Sequence, residues 1–243
     1  MSASSPDPAR ARLCFALDYP SLSAARRAAP DIAPEVGVLK VGLELFVQEG
    51  PRAIAELKQL GVQLFLDLKL HDIPATVERA VAVACGLGVD YLTLHAAGGP
   101  RMLEAAQTRV FKENTGLQLL GVTVLTSMSS SDLHATGVPT SPEAQVVLLA
   151  DCALQAGCAG LVCSVVEVEA LRARFGSEPI LVTPGIRGSS SASDDQSRTG
   201  TATEGIQRGA SLLVVGRPIR DALQPALAAR ALVAEIRSAL QQL

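Results

Sequence analysis

Short runs of apolar, β-favouring residues alternate along this chain with longer stretches in which apolar positions recur at helical spacing. The runs are "LCFALD" at 13, "VGVLKVG" at 36, "QLFLDLKL" at 63, "DYLTLHA" at 90, "LQLLGVTVLT" at 117, "GLVCS" at 160, "PILVTPG" at 179 and "SLLVVGRP" at 211. Between them, segments such as "SLSAARRAAPDI", "GPRAIAELKQLG" and "PATVERAVAVACGLG" place their apolar residues on one face of a helix. A strand followed by a helix, eight times over, predicts an α/β fold, a (β/α)8 TIM barrel in a single domain. A doubly wound open sheet would carry a glycine fingerprint straight after its first strand, and "ALDYPSLSAA" has none.

The barrel is assigned to residues 13–243, after a flexible tail over 1–12, "MSASSPDPARAR", which has no apolar core of a signal peptide. The stretch "VVLLADCALQAGCAGLVCSVV" at 146–166 has the length of a membrane span. Asp151, Gln155, Gly157 and Gly160 divide it, so it reads as a helix, a glycine turn and a buried strand. One connection is long and polar: "GIRGSSSASDDQSRTGTATEG", 185–205, follows the seventh strand, on the face where barrels keep their active sites. Residues 187–201 are expected to form a mobile lid there.

Composition narrows the function. Hydrophobic residues are 48% of the 243, aromatics 3% with no Trp, so Leu, Val, Ile and Ala must fill the core. A formal charge of −3, with no basic run interleaved with aromatics, argues against nucleic acid as a partner. Five cysteines without a CxxC pair read as reduced core residues of a cytoplasmic protein. His71, His95 and His134 lack metal-ligand spacing, so no metal is expected, and no membrane partner either.

The third strand raises the chemical question. In "QLFLDLKL" alternation turns Leu64, Leu66, Leu68 and Leu70 toward the helices, and Gln63, Phe65, Asp67 and Lys69 into the barrel. Asp18 ends the first strand on the face of Cys14 and Ala16, and Lys40 sits within the second. A structural ion pair would explain two such charges, although burial makes such pairs weak stabilisers. Four charges of alternating sign at neighbouring strand ends point to a site. A lysine between carboxylates suits general-acid work, whereas a Schiff-base lysine needs surroundings that depress its pKa. At the eighth strand, "VVGRPI" offers Gly216, whose backbone a phosphate can approach, and Arg217, a bidentate donor, where barrels commonly bind phosphate.

With these residues in view, "LDLKLHDIPAT" resembles the D-x-K-x-x-D-I-P-x-T signature of the orotidine 5′-phosphate decarboxylase family. The likeness to the bacterial form runs in order through "ALDYP", "LKVGLELF", "LTLHAAGG", "GVTVLTSM", "TPGIR", "DQ" at 195 and "VVGRPI". It implies cofactor-independent decarboxylation of orotidine 5′-phosphate to UMP in the last step of pyrimidine nucleotide synthesis. Asp18 and Lys40 would hold the ribose, Asp67 would face the substrate carboxylate, and Lys69 would protonate C6. Asp72, Ile73 and Thr76 would reach the site of a second subunit, making a homodimer with shared active sites. Thr126 would contact the pyrimidine end. Arg187, Gln196, Gly216 and Arg217 would serve the phosphate, over which the 187–201 loop would close. His95 would support structure only. The stretch "TATEGIQRGASLL", 201–213, departs from the family pattern and is expected to affect a helix, not the chemistry. A sister activity, a sugar-phosphate decarboxylase or synthase using magnesium on a similar strand, lacks the Ile73-Pro74-x-Thr76 continuation and "LTSM". A silent nucleotide-binding protein would not need Asp67, Lys69 and Asp72 intact.

Overall fold

All eight apolar runs become strands of one closed parallel barrel, hydrogen-bonded in chain order from β1 to β8 and back to β1. They are β1 (Leu13–Ala16), β2 (Val38–Val41), β3 (Gln63–Leu70), β4 (Tyr91–His95), β5 (Gln118–Val122), β6 (Gly160–Val162), β7 (Ile180–Thr183) and β8 (Leu212–Val215). The computed structural model describes residues 7–187 and 198–243.

Both faces of each strand are covered, which is why the runs are nearly continuous in apolar residues. An inner cluster including Cys14, Val38, Phe65, Leu120, Val182 and Val214 fills the barrel, while Leu39, Leu64, Leu66, Leu92 and Leu213 pack outward against the helices. The helical spacings yield α2 (Leu22–Ile32), α3 (Leu43–Glu49), α4 (Pro51–Leu57), α5 (Pro74–Leu87) and α6 (Pro100–Glu113), preceded by a short α1 (Pro8–Ala11). Then come α7 (Ser130–Ala135), α8 (Pro142–Gln155), α9 (Val168–Phe175), α10 (Ala202–Gln207), α11 (Arg217–Arg220) and α12 (Pro225–Leu240). The apolar stretch at 146–166 divides into α8, a turn at Gly157 with φ +91°, and β6. Among the described residues no helix is long and apolar enough to cross a membrane.

The tail is shorter than the sequence suggests. Pro8 starts α1 with its fixed φ, Asp7 accepts from the Ala9 N–H at 3.1 Å, and Ala9 is buried. Arg237 of α12 donates to Asp7 at 2.7 Å and Arg12 to the Ala210 carbonyl at 2.8 Å, so residues 7–12 are fastened to the barrel floor. Of the loop expected over 187–201, residues 188–197 lie outside the described residues. Its flanks are fixed: the Arg187 N–H donates to the Gly200 carbonyl at 2.9 Å, and Thr201 with Glu204 makes a capping box on α10.

Candidate active site

The upper ends of β1, β2 and β3 deliver the four charges to one wall of a cavity of about 530 Å³. Pairing of Ala16 with Lys40, and of Lys40 with Phe65, sets these strands in register so that Asp18, Lys40 and Asp67 meet. Lys40 Nζ lies 3.4 Å from Asp18 Oδ1 and 3.4 Å from Asp67 Oδ2; Lys69 Nζ lies 2.8 Å from Asp67 Oδ1. The order is carboxylate, ammonium, carboxylate, ammonium. Gly42 leaves room for it, since a Cβ there would come within 3.1 Å of Lys40 Nζ and 3.2 Å of Asp18 Oδ1.

Burial pulls Asp67 and Lys40 toward neutrality, and their neighbours overrule it. Desolvation alone would raise the Asp67 carboxyl, but Lys40 and Lys69, with hydrogen bonds from Lys69 and Thr93, hold it below the usual carboxylate range. Burial alone would depress the Lys40 ammonium; Asp67 and Asp18 instead keep it above the ordinary lysine range. Cys163 lines the cavity and Cys14 lies in the barrel interior close to it; desolvation pushes both thiols far up, which makes them inert and not nucleophiles.

Alternation along β3 holds for side-chain direction but not for the backbone. Leu66 pairs with Leu92 and Leu70 with Leu94, so the ladder is irregular between them, and Lys69 adopts φ +50°. Asp67 and Lys69 nevertheless both line the cavity, as alternation predicts.

Thr126 on the loop after β5, Arg187 after β7, and Gly216 and Arg217 after β8 line the same cavity. Asp72, Ile73 and Thr76 do not. Asp72 is exposed just past β3 with its Oδ1 accepting from the Ile73 N–H at 2.7 Å, and Ile73 is 66% exposed. Gln196 lies outside the described residues. His95 packs its ring 5.4 Å from that of His71, and burial, His71 and Lys69 together lower its pKa.

Three residues near the site were not singled out by sequence. Thr93 sits beneath Asp67. Arg220 lines the cavity, donates to the Asp18 carbonyl at 3.0 Å and is gripped by Asp221. Arg198 pairs with buried Glu167 and donates to the Leu125 carbonyl at 2.8 Å, next to Thr126. For Thr93 a signal existed, since alternation in "YLTLH" turns it inward with Tyr91 and His95; for the two arginines none did.

The family model described as orotidine 5′-phosphate decarboxylase / HUMPS family matches residues 11–232. An orotidine 5′-phosphate decarboxylase of Anaeromyxobacter sp. (strain K) is 52% identical over 223 residues, 92% of this chain and 97% of that protein. One from Opitutus terrae is 47% identical over 226 residues, covering 93% and 98%. The crystal structure of orotidine 5′-phosphate decarboxylase from Lactobacillus acidophilus superposes with a TM-score of 0.83 at 33% identity, over 92% of this chain and 98% of that one.

Proposed function

Because this chain belongs to the orotidine 5′-phosphate decarboxylase / HUMPS family, we propose that it converts orotidine 5′-phosphate to UMP and CO2 without a cofactor, as a cytoplasmic homodimer. The observation that carries the reading is the alternating row Asp18, Lys40, Asp67, Lys69 on the cavity wall. When the bond from C6 to the carboxylate breaks, CO2 departs and the electron pair stays in an orbital in the ring plane, out of reach of the π system. Fixed charge must then stabilise it. The Lys69 ammonium supplies that charge, gives its proton to C6, and is reprotonated by solvent. Asp67, held ionised by two lysines, faces the substrate carboxylate, while Asp18 and Lys40 bind the ribose hydroxyls.

Arg187, Gly216 and Arg217 are suited to the phosphate, with β8 adjoining β1 so that Gly216 borders Asp18; Gln196 is assigned to the same group, and Thr126 to the pyrimidine. Binding energy from this remote group can favour closure of the 187–201 connection and so raise the rate at C6. Asp72, Ile73 and Thr76 lie outside their own cavity, which suits a C2 dimer in which each copy completes the other's site.

The magnesium-dependent sister chemistry fits this donor set poorly. Both oxygens of Asp67 are engaged, by Lys40 on one side and by Lys69 and Thr93 on the other, and two ammoniums would repel a divalent cation. Loss of orotidylate absorbance with purified, chelator-treated protein tests the proposal. Turnover unaffected by EDTA is the expected result; no turnover, or turnover restored only by magnesium, would overturn it.

A further inference from the structure

β4 supplies a residue that the chemistry above leaves unused. Thr93 is completely buried, and it stands alone opposite the irregular part of β3. Because Leu66 pairs with Leu92 and Leu70 with Leu94, the three residues Asp67, Leu68 and Lys69 span the space that Thr93 alone occupies on β4. Its hydroxyl accepts the Lys69 backbone N–H at 2.9 Å and donates to Asp67 Oδ1 at 2.9 Å.

These two bonds define each other. A threonine hydroxyl has one proton, and with Lys69 N–H as donor that proton is committed to the carboxylate. Asp67 Oδ1 thus receives Thr93 and Lys69 Nζ together, which leaves Oδ2 for Lys40. On the backbone side, a regular parallel ladder would offer the Lys69 amide a carbonyl of β4; here a side chain takes that role while Lys69 holds φ +50°. The other non-glycine residue with positive φ among those described, Asn114, ends a helix, where such a conformation is common. Within a strand, here at the penultimate residue of β3, it persists only where the surroundings impose it.

We propose that Thr93 is a positioning residue for the decarboxylation: one buried hydroxyl fixes the Asp67 carboxylate and the left-handed Lys69 backbone together, and so aims the Lys69 ammonium. The inference rests on the decarboxylase reading. Thr93→Val keeps the shape and removes both bonds; Thr93→Ser keeps the hydroxyl and removes the methyl. For Val the kcat on orotidylate should fall by about 100-fold, the loss typical of a reacting group displaced by about 1 Å. KM and UMP affinity should stay within about threefold, because ribose and phosphate contacts lie elsewhere. Ser should recover most of the rate. A crystal structure of the Val variant should show the Lys69 backbone out of its left-handed conformation and Nζ displaced.

Equal losses in Val and Ser would assign the effect to packing and overturn the role of Thr93. So would unchanged kcat, or a loss confined to KM, in a Val variant that circular dichroism shows to be folded. Unchanged Lys69 geometry in the crystal would do the same whatever the substrate. Wild-type protein inert toward orotidylate would instead sink the decarboxylase reading, and the positioning claim for that reaction with it.

Discussion

Asp67→Asn is the most informative perturbation, because it removes one charge from the centre of the row while keeping the shape of the side chain. Asp67 has a side chain only 13% exposed and sits 3.4 Å from Lys40 Nζ and 2.8 Å from Lys69 Nζ. At an effective dielectric of about 20, those attractions are worth roughly 5 and 6 kcal/mol before the cost of desolvation. Burying the carboxylate offsets several kcal/mol of this, and Asp18 still partners Lys40, so the variant should lose about 3 kcal/mol. That corresponds to a fall in Tm of roughly 6–12 °C for a chain of this size. Urea unfolding at fixed protein concentration measures it, since the proposed dimer would make stability depend on concentration. The pH dependence has a definite sign. The folded-state pKa of Asp67 lies below its unfolded value, so its contribution is fully present above the ordinary aspartate pKa of about 3.9 and is lost as pH falls through the lower, folded value. The gap between wild type and variant should therefore be flat from pH 7 to about 5 and shrink below about 4. A variant as stable as wild type at pH 7, or a gap that persists undiminished at pH 3, would refute the electrostatic account.

Lys69→Ala should abolish decarboxylation while the folded barrel still binds UMP; near-normal turnover would remove Lys69 as the proton donor. Arg217→Ala should raise KM by about 10- to 100-fold, the effect of a charge-assisted hydrogen bond worth about 1.5–3 kcal/mol. A substrate analogue lacking phosphate should be indifferent to that change, and equal losses on both substrates would place Arg217 at the reaction centre. Asp72→Asn and Lys69→Ala homodimers should each be nearly inactive, yet unfolding and remixing them in equal amounts should make about half the dimers mixed, each with one intact site, so that about a quarter of sites recover. Failure to recover, with exchange shown by a tag, would mean that Asp72 acts within its own chain.

Short continuous apolar runs and period-3.6 patterns carried the barrel because each strand is buried on both faces and each helix on one; the eight strands fall within the eight apolar runs. The charged residues were legible for a related reason: Asp67 and Lys69 break a leucine pattern, and a charge in an apolar run must face something that compensates it. Thr93 breaks no pattern, since a threonine suits any strand, and its role arises from a register shift that no local sequence encodes. The left-handed Lys69 was hidden by the same shift. The α1 turn was missed because four residues are too few to show helical spacing; Asp7 and Pro8 start it locally, and the distant Arg237 and Ala210 fasten it and the adjoining Arg12. Asp72 illustrates a different limit: the motif marks it, but its own cavity does not include it.

The ion row also bears on how the chain finds its own register. Lys40 faces inward between Leu39 and Val41, which face the helices. Val38, Leu39 and Val41 are alike enough that sliding β2 by one residue against β3 would cost an all-apolar barrel little in burial. With Lys40 present, the same slip would drive an ammonium into the leucine layer and strip Asp67 of a partner, at several kcal/mol per stranded ion. The aligned barrel is the arrangement in which charges from β1, β2 and β3 neutralise one another, so near-miss pairings are disfavoured by the very groups that line the cavity. Substitutions that silence the row with apolar residues should therefore yield a barrel that is better packed yet less exact in its strand pairing.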